Sequence, residues 1–311
     1  MSDARPLDAS RVCVCLCTCD RHAMLPALFA ALAAQTLPGR LTVFVADNGA
    51  RSAEAAVADL LSDALTPVYR RVAVTGVTAA RNAAMALAVD AGFEFLAFLD
   101  DDEVPDPVWL EELLGTALAE RCDIACGPVE PVFEGPPPAW ALAGRFFSKS
   151  GETLCSSNLL LRVGALPANR GDWFYPEFGT TGGGDREFLK RLVEGGARTA
   201  VAGRALVREH VPVERLALGY MFRRGLRDGM TDVQILMRRK PSCGGVWLEA
   251  SRIAVTKTGY ALNHLVWSPL RSGRLASALS DAGQVCGIVL RLFGKRLRLY
   301  GPASGPRSAS G

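Results

Sequence analysis

The sequence predicts an α/β fold, a mostly parallel sheet with helices on both faces. Three observations carry this. Between residues 11 and 120, short apolar runs alternate with helical stretches four times, the pattern of successive βαβ units. The apolar runs are nearly continuous, as strands buried on both faces require. Polar residues collect where three of the runs end, at Thr18-Cys19-Asp20-Arg21, Asp47-Asn48 and Asp100-Asp101-Asp102. Ligands of open α/β sheets bind at those carboxyl ends.

The elements follow in order. Residues 11–18 read as a buried strand in which Cys13, Cys15, Cys17 and Cys19 alternate with Val12, Val14, Leu16 and Thr18. Period two puts the four thiols on one face, as small buried hydrophobes. Neighbours on one face are poorly placed to bond to each other, and their spacing is not that of zinc sites. Leu25 to Gln35 reads as a helix, Leu41 to Ala46 as a strand and Ser52 to Asp63 as a helix. Val68 to Val74 reads as the third strand, with a helix from Thr78 to Asp90. Phe93 to Leu99 is the fourth strand, followed by a helix from Pro105 to Glu120, proline being allowed in a first turn. Beyond Cys122 the alternation fades. Gly127 to Trp140 reads as loop, Gly151 to Leu161 as a strand, and the glycine-rich 179–184 as a loop before a helix ending at Glu194. Residues 213–240 read as basic and helical, 246–299 as amphipathic helices, and 301–311 as a disordered tail.

Composition sets further bounds. With 311 residues, 49% of them hydrophobic, a sizeable core is available. No run of 18 apolar, uncharged residues exists, so no membrane-spanning helix is expected. Met1 to Ser10 carries two Asp and an Arg, unlike a secretory signal. Reduced thiols then point to the cytoplasm. Charge is uneven. Residues 1–200 hold 17 Lys and Arg against 26 Asp and Glu; residues 201–311 hold 18 against 6, a net of +12. Such a basic end suits an anionic surface. Its cations are interleaved with apolar residues, as in Ile288 to Leu297. That mixture fits an interfacial helix at a membrane better than a nucleic-acid groove, and an ordinary basic helix packed on the domain equally well.

The most informative segment is Phe95-Leu96-Ala97-Phe98-Leu99-Asp100-Asp101-Asp102-Glu103. An apolar run ends in four acids, whose mutual repulsion at a core edge is costly without a partner. Alternate side chains of an extended segment share a face, so Asp100 and Asp102 can point at one ion. Carboxylates suit hard cations such as Mg²⁺ or Mn²⁺. An acidic turn at a helix start explains the run as well.

Taken in order, the motifs resemble those of a family 2 glycosyltransferase with the GT-A fold. The resemblance covers residues 11–215. It rests on Thr18-Cys19-Asp20-Arg21, Gln35-Thr36, Val45-Ala46-Asp47-Asn48-Gly49, Gly76-Val77-Thr78-Ala79-Ala80-Arg81-Asn82, the DxD-type Asp100-Asp101-Asp102 and Gly183-Gly184-Asp185-Arg186-Glu187-Phe188. The proline-rich loop, the glycine run and Glu209-His210-Val211-Pro212 resemble bacterial exopolysaccharide enzymes of the succinoglycan type. The resemblance implies a GT-A domain over 11–215, with a nucleotide-sugar half (11–121) and an acceptor half (122–215). Residues 1–10 would be a tail, 216–299 a helical basic extension and 300–311 a disordered end.

It also implies roles. Thr18, Asp20 and Arg21 would line the nucleotide pocket. Asp47 would accept from a base such as uracil, and Arg81 would contact base or phosphates. Asp101 would lie near the ribose. Asp102 would hold Mg²⁺ or Mn²⁺ with Asp100 assisting, and His210 would contact the metal or a phosphate. Asp185 would be the general base. The chain has Gly184 where the acidic pair usually has Glu, so Glu187 could share that role. Simpler readings stand beside these: a helix N-cap for Asp185, an Asx turn for Asp47 and a structural place for His210. The expected reaction is inverting transfer from a nucleotide-diphosphate sugar, a UDP-sugar foremost, to a saccharide or lipid-linked saccharide. The expected place is the cytoplasm, or the inner face of its membrane. A metal-dependent nucleotidyltransferase and a non-catalytic glycan-binding scaffold are the alternatives. A dinucleotide oxidoreductase lacks its glycine turn here, and a P-loop enzyme its Gly-Lys-Ser/Thr.

Overall fold

The computed structural model describes residues 7–152, 154–240, 242–268 and 273–295. The tail expected at 301–311 lies outside them. The elements are β1 (Val12–Thr18), α1 (Leu25–Ala33), β2 (Leu41–Asp47), α2 (Glu54–Ala58), β3 (Leu65–Arg71), α3 (Val77–Asp90), β4 (Phe95–Asp100), β5 (Glu103–Pro105) and α4 (Trp109–Ala119). They continue with β6 (Ile124–Cys126), β7 (Val129–Phe133), α5 (Ala139–Gly144), β8 (Leu159–Arg162), α6 (Gly184–Glu194), β9 (Thr199–Val201), β10 (Val207–Val211), α7 (Leu218–Arg239), α8 (Cys243–Val266) and α9 (Arg274–Leu292).

The main sheet has the order β3-β2-β1-β4-β8-β6-β9. Its first four strands are parallel. β8 runs antiparallel to both β4 and β6. Alternation along each strand sorts the core into two layers. Val12, Val14 and Leu16 pack with Leu28 of α1 and Trp109, Leu110 and Leu113 of α4. Cys13 and Cys15 pack on the other face with Ala84 and Met85 of α3 and Phe188 of α6. The alternating cysteines are free thiols, and Cys13 and Cys15 are buried as the period-two reading expects.

Four expectations shift. β3 starts at Leu65, earlier than expected, because buried Leu65 anchors it opposite Leu41; α2 is correspondingly short. The helix expected from Pro105 begins at Trp109, since Glu103–Pro105 is a strand paired with β10. The 127–140 segment expected as loop contains β7, an edge strand of the small sheet β5-β10-β7; Pro131 is tolerated at an edge. Of Gly151 to Leu161 only the last three residues enter a strand, β8.

The C-terminal helices pack main chain against main chain. Gly225 and Gly229 of α7 face Gly283 and Gly287 of α9. A Cβ on Gly229 would lie 2.0 Å from the Gln284 carbonyl oxygen, and one on Gly287 would lie 2.0 Å from that of Leu226. By length and composition α9 could cross a membrane, but its Gly283, Gly287 and Ile288 are buried in this bundle. Gly287→Val should cost about 3 kcal/mol by overpacking, read as a lowered thermal midpoint. An unchanged midpoint would mean the helices separate freely.

Candidate active site

The strand register brings the polar ends together. Thr18 lies opposite Asp47, and Cys17 opposite Asp100. A cavity of about 460 Å³ opens there, lined by Thr18, Asp20, Arg21, Asp100, Asp102 and Arg215. Asp20 takes a left-handed backbone, φ 56°. Its carboxylate accepts from the backbone N–H of Ala50 and Arg51, each 2.9 Å away. Those bonds hold its carboxyl below the usual range and tie the loop after β1 to the loop after β2.

Asp47 does not face this cavity. It is fully buried. Oδ1 accepts from the Gly49 N–H (2.8 Å), completing an Asx turn, and Oδ2 from the Ala53 N–H and the Tyr69 hydroxyl (2.8 Å each). Arg71 lies 2.8 Å away. Burial alone would raise its carboxyl, but these donors outweigh it and keep the group ionised. Its oxygens are engaged from within, by Gly49, Ala53, Tyr69 and Arg71, where contact with a base was expected. Asn48, Gly49 and Arg71 line the cavity instead, with Asp47 as the post beneath them.

The acid run divides by alternation. Asp101 is buried, accepts from the Thr18 hydroxyl at 2.9 Å and lies 2.5 Å from Arg21. Burial pushes its carboxyl up to about 7; Arg21 pulls against this and Asp102 adds to it. Asp101 itself lines neither cavity; it stands behind Arg21 and Thr18, which face the first. Asp102 does face the cleft, 2.7 Å from Arg21 and 3.6 Å from Arg215. Burial raises its carboxyl, Arg21 opposes, and Asp100 and Glu209 push it further. Buried Glu103 accepts the Asp100 N–H at 2.9 Å and so fixes the start of the turn.

Glu209 is a residue that sequence reading missed. It pairs with Glu103 across the small sheet and lines the cleft. Arg215 lies 2.9 Å from it and Lys149 3.4 Å. Its neighbour His210 was expected at the metal or a phosphate. Side chains alternate along a strand, and with Glu209 turned to the cleft, His210 lines neither cavity. Only its backbone reaches the acids, donating to the Asp102 carbonyl at 2.8 Å.

A second cavity of about 470 Å³ adjoins the first, with Asp100, Glu209 and Arg215 on the border of both. Asp185 lines it. Asp185 is not the cap of α6: Gly183 occupies the N-cap with φ 79°, and Asp185 lies in the first turn. A Cβ on Gly183 would lie 2.1 Å from Thr231 of α7, so only glycine lets α7 close over this loop. Burial would raise the Asp185 carboxyl, but the Arg81 charge and the Arg186 and Ser156 N–H groups hold it below its ordinary value. It is therefore ionised at neutral pH, as a proton acceptor must be. Glu187 is turned away, buried and 3.2 Å from Arg191, so it does not share the cavity. Arg81 lines the second cavity, not the first. It lies 3.4 Å from Asp100, which borders both cavities, and over the Phe174 ring; contact with base or phosphates was expected of it.

A larger, shallow groove of about 700 Å³ between α4 and β9 is remote from these strand ends and holds no comparable meeting of charges.

The sequence model of Glycosyl transferase family 2 matches residues 13–174. The chain belongs to glycosyltransferase family 2. This family 2 glycosyltransferase is 31% identical over 299 residues to the succinoglycan biosynthesis protein ExoM of Rhizobium meliloti (strain 1021), covering 91% of the chain and 94% of ExoM. Its fold is that of S. aureus TarS 1-349 in complex with UDP, with a TM-score of 0.53 at 16% identity over 89% of this chain and 90% of that one. TarS 1-349 in complex with UDP-GlcNAc gives 0.51 at 15%, over the same shares. The architecture is GT-A, with the mostly parallel sheet and the helical C-terminal region expected of it.

The donor set fits a divalent cation in one specific way. Among the described residues, no three metal-ligating side chains converge on a point. Mg²⁺ is commonly held by one or two carboxylates completed by substrate phosphates. Asp102 and Asp100, both on the cleft, would supply such a partial set.

Proposed function

We propose that this glycosyltransferase transfers a sugar from a nucleotide-diphosphate sugar, a UDP-sugar, to a saccharide acceptor, with inversion. The observation that carries the reading is the pair of adjoining cavities with an ionised Asp185 in the second. The first chamber takes the nucleotide and the second the acceptor. Arg21 and Arg215 stand where charge develops on a leaving diphosphate, and Asp185 accepts the proton of the attacking hydroxyl. One base facing the leaving group across the sugar makes a single displacement, hence inversion. Bound Mg²⁺ or Mn²⁺, held by Asp102 with Asp100, would neutralise the diphosphate as it departs. UDP in TarS and the succinoglycan role in ExoM's name support a UDP-sugar and exopolysaccharide synthesis. The net +12 of residues 201–311 supports work at the inner face of the cytoplasmic membrane, on a lipid-linked acceptor.

A thermal-shift panel of UDP, GDP and ADP, with Mn²⁺ or with EDTA, tests the donor. A ligand at a hundred times its Kd adds about 2.7 kcal/mol. UDP should raise the midpoint by several degrees with Mn²⁺ and much less in EDTA. No shift with any nucleotide would refute the donor assignment; an equal shift in EDTA would refute the metal.

A further inference from the structure

Among the described residues, several side-chain contacts tie the C-terminal helices to the rest of the molecule and to each other. Arg238 pairs with Glu177 at 2.6 Å and Arg239 with Glu194 at 2.8 Å. Arg224 donates to the Phe146 carbonyl, and Arg186 reaches Asp232 of α7 at 2.9 Å. Lys257 of α8 pairs with Asp281 of α9. These contacts fasten α7 to the transferase and α8 to α9. Only Arg238 and Arg239 among these meet acids outside residues 201–311, so the segment keeps a strongly positive balance.

What the bundle turns outward is apolar. Only Val246 and Ala250 are buried in the whole of α8. Leu248, Val255, Leu262 and Val266 recur at steps of seven, seven and four, so they form one stripe. Val255 is 73% exposed, Val266 69% and Leu262 59%. The stripe is about 27 Å long at 1.5 Å per residue. Exposed Trp247, Tyr260 and Trp267 flank it, and Trp247 meets Phe293, itself exposed, edge to face at 5.8 Å. Among the described residues of α8, Arg252 is the one exposed charged residue, and it lies 3.7 Å from Glu249. A monomer rarely leaves so long an apolar surface to water.

We infer that the α8 stripe is a membrane-inserting face: it lies in the interface of an anionic bilayer, with attachment driven by apolar burial and steered by charge. The occupant follows from the surface itself. A straight stripe along one helix matches a flat sheet of lipid. Trp and Tyr, apolar with a polar tip, suit the headgroup level. The net +12 complements an anionic leaflet. Insertion has a consequence that attachment by charge alone lacks. Screening weakens exposed charges but not buried apolar side chains, so salt should slow capture and leave the bound state largely intact. This inference deepens the membrane location proposed above and stands independently of the donor.

The full chain should be sedimented with vesicles of phosphatidylcholine and phosphatidylglycerol at low and at high salt. The variant is the triple Val255→Ser, Leu262→Ser, Val266→Ser. All three positions are exposed, and serine keeps the charge, so a loss reports on insertion. The wild type should bind at both salts. The triple variant should partition more than about tenfold less, as expected for replacing three apolar anchors that need not all be fully buried. The UDP-induced thermal shift serves as the control for folding and for the donor reading. Equal binding by the variant would overturn the inference, as would complete release at high salt. So would a dimer that the triple substitution dissolves and that ignores vesicles, since the stripe would then pair two copies. Vesicle binding without a UDP shift would sink the donor assignment and leave this one standing.

Discussion

Asp185→Asn should lower turnover by about a hundredfold or more, the scale of losing a general base, with donor affinity nearly unchanged. Asparagine keeps the shape but has a single acceptor oxygen, so it keeps the 2.8 Å bond from the Arg186 N–H and gives up the 3.5 Å one from Ser156. Proton acceptance is removed at the cost of that one long bond. Asp185 lines the second cavity and not the first, so nucleotide binding has no reason to suffer. Steady-state kinetics with UDP titration separates the two effects. Weakened UDP binding with normal turnover at saturation would make Asp185 a donor residue. Glu187→Gln makes the contrast: Glu187 is locked to Arg191 in the core, so its loss should cost stability more than turnover. A full loss of turnover in a folded Glu187→Gln would move the base there.

Asp102→Ala should have the second large effect. Of the acid run, Asp100 and Asp102 face the cleft while Asp101 turns inward. Removing Asp102 deletes a cleft-facing carboxylate that burial, Asp100 and Glu209 hold above its ordinary value against the pull of Arg21. Turnover should fall by about a hundredfold, within the range of single electrostatic groups. Mn²⁺ should no longer strengthen UDP binding. The substitution also releases Arg21 and Arg215 from Asp102, so residual UDP binding in EDTA is expected to persist. Calorimetry with Mn²⁺ and with EDTA reads both. Wild-type UDP affinity that is the same in both would show the acids serve the fold alone.

The fold was legible because buried parallel strands write themselves as continuous apolar runs, as β1, β2 and β4 do; β3, an edge strand with only Leu65 buried, does not, and its bounds were misplaced. The two core layers were legible in the Cys/Val alternation of β1. What escaped notice depended on contacts distant in sequence. β5 and β7 are three and five residues long and exist because β10 lies between them. Glu209 was hidden beside His210: an imidazole attracts a ligand reading, while only the strand's phase says which of two neighbours faces the cleft. Asp47 shows the same limit from the other side. A carboxylate at a strand end looks ready for a ligand until Ala53, Tyr69 and Arg71 are found around it. The pairs Gly225/Gly229 and Gly283/Gly287, four apart, were a signal in plain view. Their meaning needed the partner helix.

The glycine contact between α7 and α9 ties the C-terminal helices to the second cavity, so whatever else the bundle does, it also braces a wall of the site. α7 is at once a wall of the acceptor chamber, through Asp228 and Thr231, and the inner helix of the bundle. A chain cut after Lys240 would keep every residue that lines either chamber. It would still lose the surface against which α7 rests. Exchanging the helical end between two relatives would therefore not simply re-address the same catalyst to another place in the cell. It would retune which acceptors fit, because the wall would tilt with its support. Domain-swapping experiments on this architecture should cut before Leu218, so that wall and support travel together.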